Sequence, residues 1–206
     1  MTTVAGVQAQ VLVRAASAAL LGEGALAAAL SMKGSDALVF YRRDEAEWQR
    51  RDAEGAGRLD RMEALETLLQ LPVGLSVPLG SLPGPLRAAV DTLPHGAAAL
   101  MDREITRKAV RPLVVDLVVV RSSPGSWKDG LRRAGRFAPF SRRALLVDVA
   151  PGEREDLLME AAFYGIGVFT PAAGGLELVL EPRAYRPRRH TAAAWRFVEE
   201  LYQRLR

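Results

Sequence analysis

From Leu113 to Val120 the chain is an almost unbroken apolar run with a single carboxylate, Asp116, in its middle. Such a run suits a strand buried on both faces, in a sheet covered by helices. Ser122 to Ser126 breaks it, with Pro124-Gly125 as turn punctuation. Trp127, Leu131, Ala134 and Ala138 then recur at helical spacing as one apolar stripe, while Lys128, Arg132 and Arg136 take another face at the same spacing. Ala144 to Val149 reads as a second buried strand. Glu153 opens a helix with acidic residues in its first turn, and Gly165 suits its end. Ile166 to Thr170 and Leu176 to Leu180 read as a hairpin around Gly174-Gly175. Thr191 caps a closing amphipathic helix that carries Trp195, Val198, Leu201 and Leu205.

The first half is patterned differently. Val4 to Leu21 is Ala-rich and helical, and Ala25 to Leu30 reads as a second short helix. Lys33 to Asp36 is a turn, and Ala37 to Tyr41 has strand composition. Asp44 can cap a charged helix containing Trp48, and Leu59 to Leu71 is helical through Leu59, Met62, Leu65 and Leu69. Pro72 to Pro85 holds four prolines, three glycines and no charge. That composition makes it a linker, or an edge strand through the alternation of Val73, Leu75, Val77 and Leu79. Leu86 to Leu100 reads as a helix broken at Pro94. Ile105 to Val110 reads as a short strand that pairs antiparallel with the buried run. The expected class is therefore α+β. A helical N-terminal region spans 1–71, the Pro/Gly-rich segment 72–85, and a mixed-sheet core flanked by helices 86–206. A winged helix or a dimerisation part stays open as the role of 1–71.

Composition narrows the chemistry. With no cysteine among 206 residues, disulfides, thiolate metal sites and a cysteine nucleophile are excluded. Two histidines, His95 and His190, are too few for a His-rich metal site. Ser122, Ser123 and Ser126 have no partnered base nearby, and neither GxSxG nor a P-loop occurs. No apolar run approaches the roughly 18 residues of a membrane span, and no basic stretch precedes an apolar N-terminus. The expected location is cytoplasmic, with no membrane partner.

Charge points to a partner class. Residues 1–100 hold 9 basic and 11 acidic side chains, whereas 101–206 hold 19 and 13, so the formal net charge of +4 sits in the second half. A basic half of this kind expects a polyanion, nucleic acid first and DNA ahead of RNA. Like charges four apart weaken a helix by roughly 0.2–0.5 kcal/mol per pair, so three in a row fit a helix that faces an anion. A solvated face in an Arg-rich chain is the plain alternative. The candidate phosphate contacts are Lys128, Arg132, Arg136, Arg142, Arg143, Arg188 and Arg189.

Within this half, "VVVR…SWKDGLRRAGRFAPFSRRALLVDV" followed by "AAFYGIGVFTPAAGGLELVLEPR" resembles the core of the PD-(D/E)XK nuclease superfamily, the restriction-endonuclease-like fold. The resemblance implies a strand ending in Glu-x-Lys, a Trp-bearing helix, a strand, and a Gly-rich strand. It also implies two carboxylates on Mg²⁺ with a Lys beside the attacking water. Laid on that pattern, Val119 stands at the Glu position and Arg121 at the Lys position. Val cannot bind a metal, and Arg cannot deprotonate at working pH. The reading is a DNA-associated protein with a degenerate nuclease core, no cofactor and no catalysis. Two alternatives accompany it. One is a Mg²⁺-dependent nuclease using Asp116 with Asp102 or Glu104. The other is an interaction module whose N-terminal helices form a homodimer. Asp116 has a structural reading too, as a sheet carboxylate paired with an arginine such as Arg121.

Overall fold

The computed structural model describes residues 13, 15, 18–123, 125–173, 175–187 and 189–206. The chain is mixed α and β, and it divides into two compact units, each assembled from separated pieces. One takes residues 1–42 and 115–186, and the other takes 43–114 and 187–206. Sequence reading instead expects contiguous parts at 1–71, 72–85 and 86–206.

The first unit is built on a six-stranded mixed sheet of order β1-β2-β6-β7-β8-β9. Its strands are β1 (Leu26–Met32), β2 (Ser35–Arg43), β6 (Leu113–Arg121), β7 (Arg142–Leu146), β8 (Gly167–Ala172) and β9 (Gly175–Leu180). β1 and β2 form an antiparallel hairpin closed by two residues, Lys33 and Gly34, both at positive φ (49° and 68°). That is the turn whose twist matches paired strands, and glycine enters it without strain. The helix expected over Ala25 to Leu30 is therefore strand β1. Alanine favours helix intrinsically, but pairing with the β-prone Ala37 to Tyr41 segment outweighs a few tenths of a kcal/mol per residue. Most of the helix expected at Val4 to Leu21, and with it the dimerisation face, lies outside the described residues.

β6, β7 and β8 run parallel, joined by α4 (Trp127–Gly135) and α5 (Arg154–Tyr164). Both crossovers step the same way along the sheet, and right-handed connections put both helices on one face, where they touch. Leu117, Val118, Val119 and Val120 are all fully buried, as a strand covered on both sides requires. Leu117 and Val119 pack with Val13, Leu38, Phe40, Ala144 and Phe169 on one face. By strand alternation, Val118 and Val120 lie on the other. β9 returns antiparallel beside β8.

The second unit holds α1 (Glu45–Glu54), α2 (Met62–Leu69), α3 (Gly84–Val90), α6 (Ala192–Leu205) and a three-stranded antiparallel sheet. The sheet has the order β3-β5-β4: β3 (Ser76–Pro78), β5 (Glu104–Arg107), β4 (Ala98–Met101). The Pro/Gly-rich segment thus supplies an edge strand, and Val77 and Leu79 pack on a core of Leu71, Leu82, Leu86, Val90 and Ile105. The helix expected over Leu86 to Leu100 stops at Val90, and its far end is β4. β5 pairs with β3 and β4, not with β6 as expected. Asp44 and Thr191 cap α1 and α6 as their positions foretell, accepting from the Glu47 and Ala194 N–H groups.

A buried charge cluster ties this unit together. Arg51 is buried between Glu47 (2.6 Å) and Glu199 (2.7 and 2.8 Å) and also donates to the Val110 carbonyl at 2.9 Å. Trp195 donates its indole N–H to Glu199 at 2.8 Å. Burial opposes the Arg51 charge, but Glu199 and Glu47 more than offset it and raise its pKa above the ordinary value. Removing one member leaves buried charge without compensation. Arg51→Leu should therefore cost about 3–5 kcal/mol, read as a lower denaturant midpoint. Replacing Glu47, Arg51 and Glu199 together by apolar residues should recover most of that loss.

Candidate nucleic-acid interface

The basic helix α4 forms where its stripe dictates. Trp127, Leu131 and Ala134 are buried, and Lys128 and Arg132 point to solvent from the other face. Asp129 lies in the first turn and Arg132 and Arg133 in the last, matching the helix dipole. The helix ends at Gly135, so Arg136 is its C-cap, and the run expected to Ala138 continues as a turn. Gly130 sits at the closest approach of α4 to the sheet. A Cβ there would fall 2.6 Å from a Leu145 methyl and 2.8 Å from Ser122 Cβ.

Four cations and one carboxylate lie between Trp127 and Arg136. Asp129 binds Arg132 and sits 2.9 Å from Arg133 Nε, whose alignment makes this an ion pair rather than a hydrogen bond. Its hydrogen bond to Arg132, with the charges of Arg132, Arg133 and Arg136, holds its carboxyl below the usual range. Arg132 is still 75% exposed. Arg136 is exposed and gives one N–H to the Lys33 carbonyl at 2.6 Å, which anchors it beside the β1–β2 turn. Lys128 is exposed, with its ammonium 5.2 Å from the Trp127 ring centre.

The other expected contacts separate from this group. Arg142 donates to the Leu20 carbonyl at 2.8 Å and Arg143 to the Tyr164 carbonyl at 2.6 Å. Burial, with the charge of Arg183, pushes the Arg143 pKa down. Each of these two guanidiniums satisfies a main-chain acceptor, and Arg143 does so at the C-terminal end of α5. Arg189 belongs to the second unit, where it lines a hollow of about 490 Å³ with His190 and the start of α6. Arg188 lies outside the described residues.

The carboxylates are placed as follows. Asp116, on β6, is held by Arg42 through a two-pronged pair, Nη2 to Oδ1 at 3.0 Å and Nε to Oδ2 at 3.1 Å. The Gly22 N–H completes the shell at 3.1 Å. The partner is thus Arg42, not Arg121, and the hydrogen bond and charge of Asp116 raise the Arg42 pKa. Gly22 can come this close only because it lacks a Cβ, which would run into the Arg42 guanidinium. Asp102 and Glu104 belong to the second unit, in the β4–β5 hairpin. Asp102 (φ 51°) and Arg103 (φ 63°) form its two-residue turn, a role that Asp tolerates better than most side chains. Neither shares a compact unit with Asp116. Among the described residues no three His, Asp or Glu side chains group as metal ligands. A guanidinium already holds both Asp116 oxygens, so this arrangement does not fit the Mg²⁺ site that the resemblance implies.

Sequence reasoning passed over Arg42 and Gly22, whose partner lies 74 and 94 positions away. It also passed over Met159, Phe163 and Tyr164, which α5 leaves exposed (67%, 78% and 50%). Their signal was readable: α5 is apolar on two sides, and Leu157 and Ala161 alone suffice for the core side. Comparison with protein-family models, curated proteins and solved structures finds no match to this chain.

Two predictions come from this geometry. Glycine to alanine inside a helix ordinarily gains roughly 0.5–1 kcal/mol. Gly135→Ala, with open space around its Cβ, should show that gain. Gly130→Ala should instead destabilise by about 1–3 kcal/mol through overpacking, so unfolding titrations should move in opposite directions. Arg42→Ala should cost about 1–2 kcal/mol, at the lower end for a charge-assisted bond because Arg42 is 43% exposed. In a double-mutant cycle with Asp116→Ala the two losses should fall short of additive.

Proposed function

We propose that this is a DNA-associated, non-catalytic protein that holds a phosphate backbone on the exposed face of α4, through Lys128, Arg132 and Arg136. The observation that carries the reading is the separation of faces on one short helix. Its apolar stripe is buried, and its cations project together with a single carboxylate among them. Such contacts position a backbone and carry little sequence information. Arg142 and Arg143 are only partly exposed and each is bound to a main-chain carbonyl, so they are not counted among these contacts. The restriction-endonuclease-like core remains part of this proposal, with the parallel β6-α4-β7-α5-β8 order in its favour. A cytoplasmic location belongs to the same reading. Among the described residues no helix is long and apolar enough to cross a membrane.

Fluorescence anisotropy against duplex DNA tests it. Each phosphate neutralised contributes about −0.9 to the slope of log K against log salt, so three contacts give roughly −3. Arg132→Ala with Arg136→Ala should flatten the slope by about 2 and weaken all sequences alike. A double variant that binds as well as the parent at low salt would leave α4 a solvated face.

A further inference from the structure

The outer side of α5 asks for a partner that the phosphate contacts alone do not explain. Leu157 and Ala161 face the core, while Phe163 is 78% exposed and Tyr164 half exposed. The two rings stand edge to face, 5.1 Å between centres. Beside them a hollow of about 360 Å³ opens between α4 and α5, bounded by Trp127, Lys128, Met159 and Phe163. Two acids, Asp156 and Glu160, also line it.

One cation borders this aromatic site. Lys128 stands on the α4 wall. An exposed ring beside a cation is what a single strand needs, since each base offers a π-face and each linkage a negative charge. A duplex keeps its bases stacked and has no use for an exposed Phe. The acids add a selection. Carboxylates accept hydrogen bonds and donate none, so they favour bases with exocyclic amines, such as cytosine and adenine, over thymine.

We propose that the hollow between α4 and α5 takes one unpaired, amine-bearing base of a single strand, stacked on Phe163, with Lys128 on its phosphate. The proposal rests on the phosphate-binding reading of α4 and adds strand form and base class to it.

The test is anisotropy of labelled oligo-dC, oligo-dA and oligo-dT of about ten nucleotides, within the 4–16 that single-strand sites span, beside a duplex at the same salt. Oligo-dC and oligo-dA should bind the parent at least about fivefold tighter than oligo-dT, the low end for one good base contact. Phe163→Ala should weaken single strands roughly tenfold, leave the duplex unchanged and keep the parent's unfolding midpoint, whereas Phe163→Tyr should retain single-strand affinity. If Phe163→Ala binds single strands like the parent while Arg132→Ala with Arg136→Ala loses both forms, the base site is overturned and the phosphate reading stands. Oligo-dT bound as tightly as oligo-dC overturns the selection by Asp156 and Glu160. If the parent binds neither single strand nor duplex, both readings fall. If light scattering shows a self-associating parent that Phe163→Ala makes monomeric, with oligonucleotide affinity unchanged, the face serves a second copy of the chain and the proposal is overturned.

Discussion

A carboxylate on a strand buried on both faces has to be neutralised where it stands, and Arg42 does this for Asp116. β6 lies between β2 and β7 in the six-stranded sheet, and its residues Leu117 to Val120 exclude water entirely. An unpaired carboxylate next to that run would keep its desolvation penalty and lose its charge-assisted bonds. The pair therefore links the end of β2 to the middle of β6, and Gly22 brings the segment before β1 to the same point.

The second unit follows the same rule more deeply. Glu47 and Glu199 come from α1 and α6, which are far apart in the chain, and Arg51 joins them. Buried ion pairs are weak sources of net stability, because desolvation takes back most of the Coulomb gain. Their effect is selective, since an altered packing of α6 on α1 would strand a charge. The Arg51 guanidinium also lies over the Tyr202 ring at 4.9 Å, and Trp48 meets that ring edge to face at 4.6 Å.

Arginine is abundant in this chain, and its placement sorts into two kinds. Arg42, Arg51, Arg142 and Arg143 are bound to carboxylates or main-chain carbonyls inside their unit. Their planar forks, with five donors each, suit that work better than lysine would. Lys128, Arg132 and Arg136 retain donors directed to solvent on a helix whose opposite side is core. Composition cannot tell the two kinds apart, because both contribute the same formal charge. Exposure does so, and it leaves an anion-facing surface smaller than the count of basic residues implies.

Signals that act within a few residues were legible in the amino-acid sequence. The apolar run of β6, the stripe of α4, the Asp44 and Thr191 caps and the Gly165 stop are all fixed by neighbouring side chains and hydrogen-bonding groups. What depends on distant partners was not. Ala25 to Leu30 became a strand only through its register with β2, and Asp102 proved to be a turn residue once β4 and β5 paired. The partner of Asp116, and the assembly of each unit from separated pieces, were settled by tertiary pairing. Periodicity and capping are short-range, whereas the pairing of a buried charge or a strand edge is decided by whichever distant group the fold brings within about 3 Å.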